Sequence, residues 1–225
     1  MKSTPYSFIA GSSVYAQTCT RSDISFAVGM LRRCYSNLGI DHWKATKKDL
    51  RYLKGMKDHM LMYRRSKHLE VVGYSDSDFV GCIDTRKSTF GYLFQLAEEV
   101  ISWKSAKHSV IITSMMEAEF MACFEAIINA LGMRNFISRL GIVDTITKPL
   151  KIYCDNSTAV FFSKNDNYSK GAKHMKLKYF PVKEEVQKQR VSLEHIRNDL
   201  MIADLLTKGF VTTQTRLKLE FTMFP

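Results

Sequence analysis

The 225-residue chain has no apolar run approaching 18 residues, so the sequence predicts no membrane span and no membrane partner. Its opening, Met1-Lys2-Ser3-Thr4-Pro5, lacks the long apolar stretch of a signal peptide. Cysteine is sparse: Cys19, Cys34, Cys82, Cys123 and Cys154 are odd in number, widely spread and form no CxxC pair. That excludes a zinc ribbon and a disulfide framework, and it implies a reduced intracellular compartment. Internal repeats and low-complexity segments are absent, which excludes a solenoid. Acidic residues are in deficit, 22 against 33 Lys and Arg, for a net charge of +11. Such a balance suits an anionic partner. The excess is uneven: residues 1–70 carry +8 and residues 71–225 only +3. The first third is therefore the expected electrostatic grip. A hydrophobic content of 45% supports one good core with room for a second small subdomain.

Apolar spacing over residues 6–36 predicts two helices split near Thr18–Arg21. Residues 41–56 form a clearer helix, with Asp41 as N-cap. Trp43, Thr46, Leu50 and Leu53 share one face, flanked by Lys44, Lys47, Lys48, Arg51 and Lys54. This basic amphipathic helix could track a phosphate backbone, lie on a membrane, or present a solvated face. From residue 68 the pattern turns to strands: Leu69–Asp76, a hairpin of Thr89–Leu96 and Val100–Lys104, and Ser109–Thr113 continuing the sheet. A helix from Met115 to about Arg139 follows. Then come a strand at Leu150–Cys154, a short helix, a basic helix near Lys173–Lys188, a strand at Arg190–Ile196 and a helix near Leu200–Lys208. That order predicts one mixed α/β sheet flanked by helices and preceded by a helical piece.

Four carboxylates stand out: Asp76, Glu119, Asp155 and Asp204. Asp76 and Asp155 each follow an apolar, β-prone run and are placed at strand ends. Asp76 and Asp78 alternate, so on a strand they share a face, and both could instead be turn residues before Gly81. Ser114 and Glu117 have capping-box spacing, which explains Glu117 but not Glu119. Glu119 tops a face of small residues, Ala122, Ala126 and Ala130, with Met133 below, so it should point at the edge of the sheet. Each acid alone has an ordinary reading, as a helix-start Glu, a helix N-cap at Asp155-Asn156-Ser157, or a surface helix acid at Asp204. Four acids converging from separate elements would repel one another unless cations bound between them. On oxygen ligands that points to hard divalent ions and phosphoryl transfer.

The order of motifs resembles the ribonuclease H domain of copia-type retrotransposon Pol polyproteins. It is carried by Gly73-Tyr74-Ser75-Asp76-Ser77-Asp78-Phe79-Val80-Gly81, Arg86-Lys87-Ser88-Thr89-Phe90-Gly91-Tyr92 and Ile101-Ser102-Trp103-Lys104-Ser105. Met116-Glu117-Ala118-Glu119-Phe120, Ile152-Tyr153-Cys154-Asp155-Asn156, Ala172-Lys173-His174 and Ala203-Asp204-Leu205-Leu206-Thr207-Lys208 extend it. Upstream, Tyr15-Ala16, Cys19 through Ile24, His42-Trp43 and Leu50 through Gly55 resemble the segment joining the reverse transcriptase thumb to that domain. The chain departs from the family pattern at Met115 and Met116, where small hydroxyl residues are usual. It also departs at Ser22, usually Pro, and at Ala97-Glu98-Glu99, usually a Gly-containing hairpin. It has no Tyr-x-Asp-Asp motif, and no palm, fingers, protease or integrase signature.

The resemblance implies an RNase H-like mixed sheet over residues 67–210, a thumb/connection-like helical segment over 1–66 and a tail over 211–225. It implies cleavage of the RNA strand of an RNA–DNA hybrid, with two Mg2+ ions (or Mn2+) on Asp76, Glu119, Asp155 and Asp204. One ion activates water and the other stabilises the leaving 3′ oxygen. Phosphates of the hybrid would be held by Lys44, Lys47, Lys48, Arg51, Lys54, Arg86, Lys87, Lys104, Lys173 and His174. Lys170, Lys176 and Lys178 would widen the patch around His174, although His174 could equally be an ordinary surface histidine. The hybrid would be recognised by groove shape and 2′-hydroxyls. The implied partners are the hybrid and the rest of a Pol polyprotein, in the cytoplasm (a virus-like particle in the parent element) or the nucleus. The alternative is a catalytically inactive, nucleic-acid-binding remnant of a transposable element. A related transposase or integrase would typically need a three-carboxylate set.

Overall fold

The computed structural model describes residues 6–33, 40–66, 69–82, 87–141, 149–165 and 173–208. Three helices come first: α1 (Tyr6–Cys19), α2 (Ser25–Arg33) and α3 (Ile40–Gly55), with a single 3-10 turn at Ser22–Ile24. The break expected near Thr18–Arg21 is present. It is held by a buried cluster in which Arg21 pairs with Asp23 at 2.6 Å and Tyr52 donates to Asp23 at 2.8 Å. That cluster pins α3 to the α1–α2 corner. It also corrects the expected inner face of α3. Thr46 and Asp49 are buried there, whereas Leu50 is exposed. The Asp23–Arg21–Tyr52 cluster selects a polar seam, so Asp49 turns inward and Leu50 one position on turns out. Burial, followed by the nearby Asp23 charge, pushes the Asp49 carboxyl up to about 6, opposed by Arg21 and Ser13. Asp41 lies inside the first helical turn, ion-paired with Lys44 at 3.2 Å, rather than at the N-cap.

The sheet has five strands: β1 (Val71–Cys82), β2 (Lys87–Leu96), β3 (Glu99–Lys107), β4 (Leu150–Cys154) and β5 (Val191–His195). Their order is β3-β2-β1-β4-β5. The first three are antiparallel, and β4 and β5 run parallel to β1. Helix α4 (Met115–Leu140) links β3 to β4, and α5 (Ser157–Lys164) and α6 (Lys173–Gln187) link β4 to β5. A 3-10 turn at Asn198–Leu200 and the short α7 (Asp204–Thr207) follow, so the helix expected near Leu200–Lys208 is confined to a single turn. The mixed sheet with flanking helices and a preceding helical segment is as expected.

Both faces of β2 are covered. Phe90, Tyr92 and Phe94 join the main core with Phe120, Ala126, Ile152, Tyr179 and Leu193. Leu93 packs on the other face with Val100, Ile202, Leu205 and Leu206. Helix α4 is long and apolar enough to cross a membrane by length and composition. Its Ala118, Ala122, Ala126 and Ala130 are instead buried within the protein. These small side chains let the helix axis come close to the sheet.

Two strand boundaries differ from expectation. β1 continues through Asp76 to Cys82, because Ser77 and Asp78 keep pairing with Phe90 and Thr89. Ser109–Thr113 forms no strand. After the amide of His108 donates to the Ser88 carbonyl at 3.0 Å, the chain leaves the sheet for α4. The cap of α4 also differs in detail. Ser114 accepts from the Glu117 amide at 3.2 Å, but the Glu117 carboxylate goes to the Thr113 amide and hydroxyl, at 2.9 and 2.7 Å.

The β2–β3 hairpin turns on two residues, Ala97 (φ 52°) and Glu98 (φ 71°), between the paired Leu96 and Glu99. Both occupy the left-handed region that two-residue hairpins favour, and neither is Gly or Asn. Replacing them as Ala97→Asn with Glu98→Gly should stabilise the protein by about 1 kcal/mol. A higher urea midpoint at unchanged slope would confirm this, and an unchanged midpoint would refute it.

Candidate metal centre and nucleic-acid interface

Strand register builds the site. Tyr74 pairs with Tyr153 in the parallel β1–β4 ladder. Continuing that register places Asp76 level with Asp155, the residue just past the end of β4. The carboxyl ends of parallel strands are where open α/β sheets gather ligands. Asp76 is paired with Gly91 across β1–β2. A Cβ on Gly91 would lie 2.5 Å from the Leu206 Cβ and 3.2 Å from the Thr207 Cγ2. The bare backbone at Gly91 is therefore what lets α7 lie against the sheet beside Asp76. The Ser105 hydroxyl donates to the Leu206 carbonyl at 2.5 Å and ties α7 to β3. Glu119 arrives from α4, and its Oε1 accepts from the Ser77 amide at 3.2 Å.

All four sequence-predicted acids come together. Asp76, Asp155 and Asp204 each offer an oxygen within 4.8 Å of the others. Glu119 and Asp155 form an overlapping group with the Cys154 sulfur. Asp155 is thus common to both. Asn156, not Asp155, caps α5 by accepting from the Ala159 amide at 2.9 Å. Asp78 is half-buried on the same face of β1 as Asp76, and burial raises its pKa while Lys208 lowers it.

Electrostatics in the cluster follow from burial and crowding. Asp76 is 1% exposed, and burial pushes it up to about 6. Lys208 and the Thr207 hydroxyl pull it back down, while Asp204 and Asp155 push it further up. Glu119 is pushed well above the carboxylate range by burial, then by Asp76, Cys154 and Asp155. Burial disfavours the charge on Lys208, but Asp76, Asp204 and Asp155 outweigh it and raise its pKa. A cation placed among these acids would reverse the crowding that raises them. The donors are carboxylate oxygens, the set that hard divalent ions prefer. Cys154 fits poorly as a ligand: its hydrogen bond to Cys123 and its burial hold the thiol protonated.

Sequence reasoning passed over several neighbours of the cluster. Thr207 donates its hydroxyl to Asp76 Oδ2. Lys208 Nζ lies 2.6 Å from Asp204 Oδ1 and 3.5 Å from Asp76 Oδ1. His195, at the end of β5, places Nε2 3.1 Å from the Asp155 carbonyl. Only the short Thr207-Lys208 segment carried any sequence signal, as part of a motif.

The predicted phosphate contacts are more scattered. Lys44, Lys47, Lys48, Arg51 and Lys54 are exposed on α3. Lys47 lies over the Trp43 ring, 5.1 Å from its centroid, and Lys104 lies 5.6 Å from the Phe90 centroid. Lys87 donates to the Ser109 carbonyl at 2.9 Å. Arg86 lies outside the described residues. Lys173 and His174 begin α6, but their side chains are outside the description. A cleft of about 410 Å³ is lined by Phe26, Met30, Lys48, Tyr52 and also Lys208. Lys208, which contacts Asp76 and Asp204, thus lines the same cleft as Lys48 of the basic helix.

Over 208 residues, 92% of its length, the chain is 37% identical to the retrovirus-related Pol polyprotein from transposon TNT 1-94 of Nicotiana tabacum. Over 205 residues, 91% of its length, it is 34% identical to that from transposon RE2 of Arabidopsis thaliana. The chain belongs with the retrovirus-related Pol polyproteins of copia-type transposons. It spans about 15% of the length of those relatives. A shorter relative, secreted RxLR effector protein 161 of Plasmopara viticola, is 40% identical over 126 residues, covering 56% of this chain and 89% of its own. No family model matches the chain. Among solved structures, LC11-RNase H1 in complex with an RNA/DNA hybrid overlaps 61% of this chain and 93% of its own at 16% identity and a TM-score of 0.45. That overlap is partial.

The close approach at Gly91 gives a direct test of how α7 is held. Gly91→Ala should destabilise the protein by about 1–3 kcal/mol, because the Leu206 Cβ must shift and the Thr207 Cγ2 must give. Urea unfolding measures the loss, and an unchanged midpoint would show that α7 does not depend on this contact.

Proposed function

We propose that this chain carries ribonuclease H chemistry, the endonucleolytic hydrolysis of the RNA strand of an RNA–DNA hybrid, as a fragment of a retrotransposon Pol polyprotein. The observation that carries the reading is the convergence of Asp76, Glu119, Asp155 and Asp204 from four separate elements onto one end of the sheet. Membership of the Pol polyproteins supports it. The boundaries we assign are 1–66 for the helical arm and 67–210 for the nuclease. The tail, 211–225, lies outside the described residues.

In this reading Asp76, Asp155 and Asp204 hold one divalent ion, and Glu119 with Asp155 completes the cluster for a second. Two Mg2+ or Mn2+ ions, when bound, supply activation of water and stabilisation of the departing 3′ oxygen. The chain's own residues do the rest. The Ser77 amide fixes the Glu119 carboxylate, and the Thr207 hydroxyl fixes that of Asp76. Both acids are thereby oriented before any ligand arrives, as a preorganised site requires. His195 stands at the exposed rim, beside the Asp155 backbone. The exposed lysines of α3 would follow the hybrid's phosphates toward the cleft shared with Lys208.

The deciding experiment is cleavage of an end-labelled RNA–DNA hybrid, with and without magnesium, by the 225-residue chain and by Asp155→Asn. RNA cuts that need magnesium and fall by at least about a hundredfold in the variant are expected. Equal cutting by both proteins would remove Asp155 from the centre. Hybrid binding without any cutting by folded protein would favour the inactive remnant instead.

The grip has its own test. Converting Lys44, Lys47, Lys48 and Arg51 to Gln should weaken hybrid binding and flatten its log–log salt slope by up to about 3–4. A salt slope equal to that of the unaltered chain would place the hybrid elsewhere.

A further inference from the structure

Lys208 occupies a place in the cluster that the proposed chemistry does not use. Its ammonium contacts Asp204 at 2.6 Å and Asp76 at 3.5 Å. These are two of the three acids whose oxygens lie within 4.8 Å of one another. Asp76 is almost wholly shielded from water, with 1% of its side chain exposed, whereas 48% of the Lys208 side chain is exposed. The Lys208 backbone is anchored, its amide donating to the Asp204 carbonyl at 2.9 Å in the last turn of α7. The chain therefore holds the base of the side chain in place while its tip reaches a buried carboxylate from a half-open position. The same side chain lines the cleft beside Lys48 and Tyr52, so space to receive it adjoins its present position.

We propose that Lys208 is the resident cation of the acid cluster, neutralising Asp76 and Asp204 until a divalent ion displaces its ammonium into the adjoining cleft. This rests on the metal reading above and adds a residue that sets how much divalent ion the centre needs. The physical ground is competition. An ammonium and a divalent ion cannot both take the facing oxygens of Asp76 and Asp204, and two cations at that separation repel each other. Every divalent ion that binds there must first break two charge-assisted contacts. Lys208 therefore weakens metal binding while it stabilises the metal-free protein, since its ammonium offsets the charge of carboxylates that burial and crowding disfavour.

The test needs no substrate. Mn2+ is titrated into the 225-residue chain and into Lys208→Gln and Lys208→Arg, with free ion followed by its paramagnetic resonance signal. The unfolding temperature is recorded before and after. Lys208→Gln should bind Mn2+ about tenfold more tightly. It should unfold at a lower temperature without the ion and regain the loss when the ion is added. Lys208→Arg, which keeps a cation at the site, should bind no more tightly than the unaltered chain. Lys208→Met, which preserves the packing of the stem, gives the same reading should the Gln variant not fold. Adding Asp155→Asn to Lys208→Gln should erase the gain. Equal or weaker Mn2+ binding by Lys208→Gln overturns the role of Lys208 and leaves the metal centre standing. A gain that survives Asp155→Asn overturns it too, by placing the ion elsewhere. No Mn2+ binding by the unaltered chain or by any variant overturns the metal reading along with it.

Discussion

Like charges forced together at one end of a sheet are the constraint that organises this protein. At the separation of Asp76, Asp155 and Asp204, two carboxylates repel by about 3–4 kcal/mol at an effective dielectric of about 20. Burial of Asp76 and Glu119 adds a desolvation cost to that repulsion. Nothing in folding alone recommends such an arrangement, because apolar residues of similar size would pack there without the penalty. The cluster persists because its surroundings over-determine it: a Ser77 amide for Glu119, a Thr207 hydroxyl for Asp76, and the Lys208 ammonium across Asp76 and Asp204. Each of these groups orients an oxygen while offsetting part of its charge.

Close packing is what brings the acids into range. Glu119 reaches the sheet because the helix face beneath it is alanine, and α7 reaches Asp76 because Gly91 has no side chain. These are backbone-to-backbone approaches that one added methyl group would spoil. The two faces of the sheet thus carry different burdens. The α4 face holds the bulky aromatic core of Phe90, Phe94, Phe120 and Tyr179, while the α7 face holds a small apolar cluster next to the charges. The larger core supplies most of the apolar burial, and that burial supports the cost of the acids nearby.

Much of this was legible in the sequence, and the exceptions have physical causes. Alternation and apolar runs located the strands, and the small face of α4 pointed Glu119 at the sheet. The end of β1 was misplaced because Asp76 and Asp78 look like turn residues. Their pairing with Gly91 and Thr89 continues the strand regardless, since ladder bonds do not depend on side-chain polarity. Ser109–Thr113 has a strand's composition, but the sheet ends at β3 on that side and the segment's bonds go instead to capping α4. Leu50 and Asp49 exchanged roles because the Arg21–Asp23–Tyr52 cluster lies far off in sequence. Lys208 was read only as part of a motif. Its importance is a matter of distance to Asp76, 132 positions away, and no local pattern encodes that.

The helical arm and the acid cluster are coupled through physical contact. The Trp103 indole donates to the Gln17 carbonyl at 2.9 Å, and the Tyr63 hydroxyl donates to Val100 at 3.0 Å, so the arm is fastened to β3 from two directions. β3 in turn holds α7 through Ser105, α7 carries Asp204 and Thr207, and Lys208 caps its end. A force on the arm therefore has a short path to three residues of the cluster. The cleft between them has one wall of apolar side chains from α2 and another that includes Lys48, Asp49 and Tyr52 of α3. Lys48 and Lys208 both line this cleft, and Lys208 contacts Asp76 and Asp204, so positive charge runs from the exposed basic face of α3 to the edge of the negative centre.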